Sequence, residues 1–149
     1  MRILMALDHG KEKDILLREI TARPWPNGSV FYLCHCVEIP YPGVQEGIFI
    51  PPDLYGELLD DLRKKGGQLL EEASKYLEEC QFPHEIKKLL REGPAKKEIV
   101  ALAKEEKIHL ICLASHRQSR LEKLFLGSVS LYVASHAPCS VEIIRAPNY

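Results

Sequence analysis

The chain has 149 residues, 46% apolar and 28% charged, which fits one domain (residues 1–149) with the volume for a core. Its formal charge is −1 and no block of five like charges occurs, so no global field or basic arm favours nucleic acid. The apolar start, MRILMAL, meets Asp8 too soon for a secretory leader, and no run is long enough for a bilayer span; the expected location is the cytoplasm, with no membrane contact.

In chain order, RILMAL reads as a buried strand that ends in a turn at Asp8-His9-Gly10. Lys11 to Ala22 has helical apolar spacing, and Pro24 lies just beyond its end. Ser29 to Glu38 is rich in β-branched and aromatic residues after Asn27-Gly28, which predicts a strand. Ile39 to Pro52 holds four prolines and two glycines, which exclude regular structure. Its Tyr41, Val44, Ile48 and Phe49 give it apolar content that predicts packing over a crevice or a partner chain.

A long helix is expected from about Asp53 to Cys80, with Leu54, Leu58, Leu62, Leu69, Ala73 and Leu77 on one face. Gly66-Gly67 interrupts it, at about 1 kcal/mol per glycine relative to alanine, and suggests a kink or a closely packed neighbour. HEIKKLLRE reads as a third strand. Gly93-Pro94 opens a helix from Ala95 to Glu106, because proline fits a first turn whose N–H groups lack partners. IHLICLAS is a fourth strand, a helix follows from about Ser128 to His136, and SVEIIRA is the fifth strand. Strict alternation of strand and helix implies a parallel sheet covered on both faces, with its ligand site beyond the carboxyl ends of the strands. Asp8, Glu38 and Ala114-Ser115 stand at such ends.

The five cysteines, Cys34, Cys36, Cys80, Cys112 and Cys139, are odd in number and form no CxxC pair. Cys34-His35-Cys36 lies in an apolar strand without a second cluster, so buried, reduced, inert thiols and no metal are expected. No nucleophile elbow, HExxH or Walker lysine pattern occurs, which points to binding rather than catalysis.

These elements and their wording resemble the universal stress protein family. ILMALD is similar to its first strand, LCHCVE to its second, and REGPAKKEIVALAKEEKIHLICLASH to its strand-helix-strand passage. LFLGSVSLYVASHAPCSVEIIR is the most specific segment, whereas Ile39 to Pro52 has no counterpart. The resemblance implies a five-stranded, Rossmann-like sheet of the adenine nucleotide alpha hydrolase type, with strand order 3-2-1-4-5. It also implies a homodimer joined through the last strands, here Val141, Glu142, Ile143 and Ile144.

ATP-binding members of the family carry Gly-x2-Gly-x9-Gly-(Ser/Thr) after the fourth strand. Counting back from Gly127-Ser128 puts the earlier glycines at Ala114 and Arg117, and a further loop glycine at Arg120. Arginine at a left-handed position costs roughly 1 kcal/mol and fills the space of a triphosphate. Weak or no ATP binding is therefore expected, within a binding or regulatory role in the stress response. The alternative is an adenine nucleotide, ATP or AMP, with Arg117 and Arg120 as bidentate phosphate partners and at most slow hydrolysis. The candidate nucleotide site comprises Asp8, Cys36, Val37, Ala114, Ser115, Arg117, Arg120, Gly127 and Ser128. Ser128 has a second reading as a helix cap, Cys36 and Val37 as ordinary core, and His9 and His116 as surface turn residues.

Overall fold

The computed structural model describes residues 1–38, 51–115 and 127–145. Its elements are β1 (Arg2–Ala6), α1 (Lys11–Thr21), β2 (Val30–Val37), α2 (Pro52–Glu79), β3 (Glu85–Glu92), α3 (Ala95–Glu105), β4 (Leu110–Ala114), α4 (Ser128–His136) and β5 (Ser140–Ile144). All five strands run parallel in the order β3-β2-β1-β4-β5. The expected fold class and strand order are both present.

The sheet is a two-sided core because successive strand residues point to opposite faces. Ile3, Met5, Phe31, Leu33 and Cys112 pack with Leu16, Leu17 and Ile20 of α1 and Leu69, Leu70, Ala73 and Leu77 of α2. Leu4, Tyr32, Cys34, Ile111 and Leu113 pack on the other side with Ile99, Leu102 and Ala103 of α3 and Val133 of α4. Each fully buried aliphatic side chain contributes about 1.5–3 kcal/mol by leaving water. The two outer strands differ. β3 carries Lys87, Lys88 and Arg91, charges that discourage further pairing along that edge. β5 carries Val141, Ile143 and Ile144.

α2 departs from its expected pattern in two ways. It begins at Pro52, one residue inside the segment expected to be irregular. Leu54 is also exposed rather than part of the buried face. Length explains the second point: 28 helical residues span about 42 Å, whereas the eight residues of β2 span about 26 Å. The first turns of α2 therefore project past the sheet, and burial begins in earnest at Gly66. Of the two readings of Gly66-Gly67, close packing holds and the helix runs unbroken. A Cβ on Gly66 would lie 2.7 Å from both His35 Cδ2 and Leu90 Cδ1.

Two further expectations need correction. Gly127, not Ser128, is the N-cap of α4, and among the described residues no side chain caps that helix. The cysteines are not uniformly buried: Cys34 and Cys112 are, Cys36 and Cys139 are half-buried, and Cys80 is exposed just past α2. The segment of residues 39–50, with Phe49, lies outside the described residues.

Candidate functional site

The site arises where the sheet changes direction. β1 leads through α1 to β2 on one side, and β4 leads through α4 to β5 on the other. Right-handed crossovers in opposite directions put α1 and α4 on opposite faces. The carboxyl ends of β1 and β4 are thus left uncovered, and a crevice opens above them. Its volume is about 710 Å³.

The turn after β1 forms one wall. The Leu7 amide donates to Cys34 O at 2.8 Å, which extends the β1–β2 ladder by one residue. The Asp8 carboxylate then accepts from the His9 amide at 2.8 Å. Gly10 enters α1 at φ 129°, a backbone setting that side-chain-bearing residues avoid. At the other wall, Ser115 follows β4 and donates its amide to Ile144 O at 3.0 Å, so it is anchored to β5.

Asp8, Cys36, Val37, Ala114, Gly127 and Ser128 all line the crevice. Ser115 is buried beside it but is not part of the lining. His116, Arg117 and Arg120 lie outside the described residues. Val141 to Ile144 form the terminal strand, away from the crevice. His9, read as a surface turn residue, is exposed and also lines the crevice, with its ring edge-on to His35 at 5.1 Å.

Sequence reasoning missed His35 and Ser130, which also face the crevice and are 7% and 6% exposed. The carbonyl of Leu7, an acceptor only, lies 2.9 Å from His35 Nδ1, so that nitrogen carries the proton. Ser130 had a readable signal: it is the third residue of the first turn in Gly-Ser-Val-Ser, where helix-start amides converge.

That helix start is the polar focus of the site. The first helical amide of α4 with an internal acceptor is Leu131, bonded to Gly127 O at 2.9 Å. The amides of Ser128, Val129 and Ser130 have no intrahelical partner, and all three residues line the crevice. Together with the helix dipole they favour an anion. Gly127 itself sits at φ −56°, open to any residue, and nothing lies within 4 Å of where its Cβ would be. The local backbone does not demand glycine there.

The remaining charges on the described wall do not favour an anion. Asp8, Glu12 and Glu38 line it, and the one lysine, Lys13, holds Glu72 at 3.1 Å. Deeper in, the neighbouring Cys36 thiol and burial push the Cys34 thiol well up. No group of three His, Cys, Asp or Glu side chains among the described residues could hold a metal. No described helix is long and apolar enough to cross a membrane.

A model of the universal stress protein family matches residues 1–145. The chain belongs to that family. A universal stress protein of Methanothermobacter thermautotrophicus is 31% identical over 99 residues, which cover 65% of this chain and 67% of that protein. Universal stress protein YxiE of Bacillus subtilis is 31% identical over 66% of this chain and 65% of its own length. The chain thus matches about two thirds of the length of these curated relatives. The solved structure of hypothetical protein MJ0577, a universal stress protein of Methanocaldococcus jannaschii, shares the fold at a TM-score of 0.81 and 23% identity, covering 99% of this chain and 97% of that one. Among more distant family structures of the same fold, one from Arabidopsis thaliana was solved with AMP bound, at a TM-score of 0.63 and 18% identity over 99% of this chain and 92% of its own. Two others were solved with cAMP and with dAMP.

Proposed function

We propose that this universal stress protein is a non-catalytic, ligand-responsive homodimer whose crevice takes an adenine nucleoside monophosphate and holds ATP weakly. The observation that carries this reading is the start of α4: three amides without intrahelical partners, next to a glycine that the fold does not require, open onto the crevice. Cys36 and Val37 offer an apolar wall for a base, and Asp8 a carboxylate for ribose hydroxyls. One phosphate suits one helix terminus. A triphosphate needs further donors, and three glycines that relatives place along it are Ala114, Arg117 and Arg120 here. Family structures solved with AMP, cAMP and dAMP support a monophosphate.

Calorimetric titration tests the reading. AMP is expected to bind at least tenfold more tightly than ATP, a difference of about 1.4 kcal/mol. Equal or tighter ATP binding would overturn it. Combined Ala114→Gly, Arg117→Gly and Arg120→Gly is expected to tighten ATP binding at least tenfold. A fall in affinity would instead support the second reading, in which the two arginines hold phosphates by side chain. The apolar edge of β5, unpaired among the described residues, supports a dimer joined along Val141 to Ile144 into one continuous sheet. Light scattering at micromolar concentration should give twice the mass of one chain; a monomer mass refutes it.

A further inference from the structure

The carboxylate that the proposed site offers to a ribose stands on a turn. Asp8, His9 and Gly10 are all exposed, and Gly10 has a positive φ of 129°. An exposed turn has many backbone settings, and only some of them aim the Asp8 carboxylate into the crevice. β2 restricts the choice. The Leu7 amide donates to Cys34 O at 2.8 Å, and the Leu7 carbonyl accepts from His35 Nδ1–H at 2.9 Å. Both polar backbone groups of the residue before Asp8 are therefore held. On the other side of Asp8, the His9 ring lies edge-on to the His35 ring, with 5.1 Å between centroids and 75° between planes. His35 thus touches the residues that flank Asp8 on both sides. The ring itself has little room: it is buried, and a Cβ on Gly66 of α2 would lie 2.7 Å from its Cδ2. A side chain locked by packing and by a hydrogen bond is a rigid support for a neighbouring ligand group.

We propose that His35 is a positioning residue: by fixing the turn after β1 it aims the Asp8 carboxylate at a ribose diol, and so sets a preference for ribonucleotides over nucleotides that lack those hydroxyls. The proposal rests on the adenine-nucleotide reading above. Asp8 Oδ1 accepts from the His9 amide at 2.8 Å, which leaves Oδ2 to accept from a hydroxyl. A hydrogen bond to a carboxylate is strong but directional, so it weakens steeply when the carboxylate turns away. His35 acts through Asp8 and not on the phosphate, which the same reading seats at the start of α4. Loss of the Nδ1–H donor therefore penalises ligands with a diol and spares ligands without one.

Calorimetric titration compares AMP with 2′,3′-dideoxyadenosine 5′-monophosphate, which keeps the base and the phosphate and lacks both hydroxyls. The natural protein is expected to prefer AMP by about tenfold, as one charged hydrogen bond supplies. Equal affinity overturns the proposal. His35→Leu removes the donor and keeps an apolar side chain, and should bring the preference below about threefold. His35→Asn keeps a donor at the position of Nδ1 and should retain the preference. The ratio of two ligands on one protein does not depend on how much of a variant is folded, so a merely structural role would leave it unchanged. A His35→Leu protein with the full preference overturns the proposal. In an Asp8→Ala background the preference is already lost, and adding His35→Leu should change the ratio no further; a further change bypasses Asp8 and overturns the positioning role. If AMP does not bind the natural protein, the nucleotide reading fails and the ribose preference with it. The support of the turn is then decided without ligand. Solvent exchange of the His9 amide, read by NMR, should quicken in His35→Leu and return to the natural rate in His35→Asn; an unchanged rate overturns the support.

Discussion

Replacing Gly66 by alanine places a methyl group 2.7 Å from two atoms, Leu90 Cδ1 and His35 Cδ2. Two effects oppose each other. Alanine in a helix interior gains about 1 kcal/mol over glycine. Overpacking a fitted contact costs about 1–3 kcal/mol. Which one wins depends on what can move. Leu90 is a half-buried side chain and its tip can swing aside. His35 is 7% exposed, and its ring is pinned by Nδ1–H to Leu7 O at 2.9 Å. To relieve the clash the ring must give up that bond or α2 must lift, and a buried partner left unpaired costs about 1–3 kcal/mol. The cost wins. Gly66→Ala is expected to destabilise by about 1–2 kcal/mol, or roughly 2–8 °C in Tm for a chain of this size. Gly67→Ala is the internal control: nothing lies within 4 Å of its Cβ. There the helix gain stands alone, and Tm should rise by up to roughly 4 °C. Urea unfolding and thermal melts followed by circular dichroism measure both. A Gly66→Ala protein as stable as the natural one would refute the pinned ring.

Burial, with Glu142 adding to it, pushes the Cys112 thiol up from an ordinary 9.0 to about 12. The unfolded chain then loses this proton first, so stability should fall as pH rises from about 9 to 12, and Cys112→Ala should flatten that part of the urea-midpoint profile. Arg23 grips both oxygens of Glu142 at 2.6 and 2.8 Å, but about a third of each side chain is exposed. Glu142→Gln should therefore cost no more than about 1 kcal/mol at low salt and almost nothing at 1 M, read by urea unfolding. Gly127→Ala should leave stability within about 0.5 kcal/mol, since its backbone is ordinary and its surroundings are open, yet weaken AMP binding several-fold by calorimetry.

The fold was legible because its signals agree at several levels. The apolar cores of β1 and β4, the proline that opens α3 and the proline after α4 each mark a boundary by a different physical mechanism. The site was legible only by position. Strand ends locate Asp8, Glu38 and Ala114, because a parallel sheet must put its crevice there. The sequence could not show that His35 matters: a histidine inside an apolar strand looks like core until Leu7 extends the ladder and gives it an acceptor. Leu54 misled for a related reason. Helical periodicity names a face but not how far the sheet beneath it extends. Ser128 misled because Gly-Ser before a helix reads as a serine cap, whereas here the glycine takes the cap position and the serine enters the first turn. Cys34 and Cys36 are indistinguishable by strand periodicity. Only depth in the crevice separates the buried Cys34 from the half-buried Cys36.

Charge makes the choice of ligand more than an analogy with relatives. Along the described wall of the crevice, Asp8, Glu12 and Glu38 face a single lysine that is paired with Glu72. An anion gains little from that wall and finds its donors at the start of α4, where three amides suit a single phosphate. Arg117 and Arg120 lie outside the described residues. Backbone donors next to glycine accept a phosphate closely and keep their geometry without it. Arginines hold one only if their side chains give up rotamer freedom, about 2 kcal/mol each. On the proposed reading, exchanging glycines for arginines replaces a preset cradle with one that must be ordered on binding. That change penalises a long triphosphate, which would need the whole cradle, more than a monophosphate seated at α4. The prediction that AMP outranks ATP follows from this asymmetry, and the triple glycine variant measures it directly.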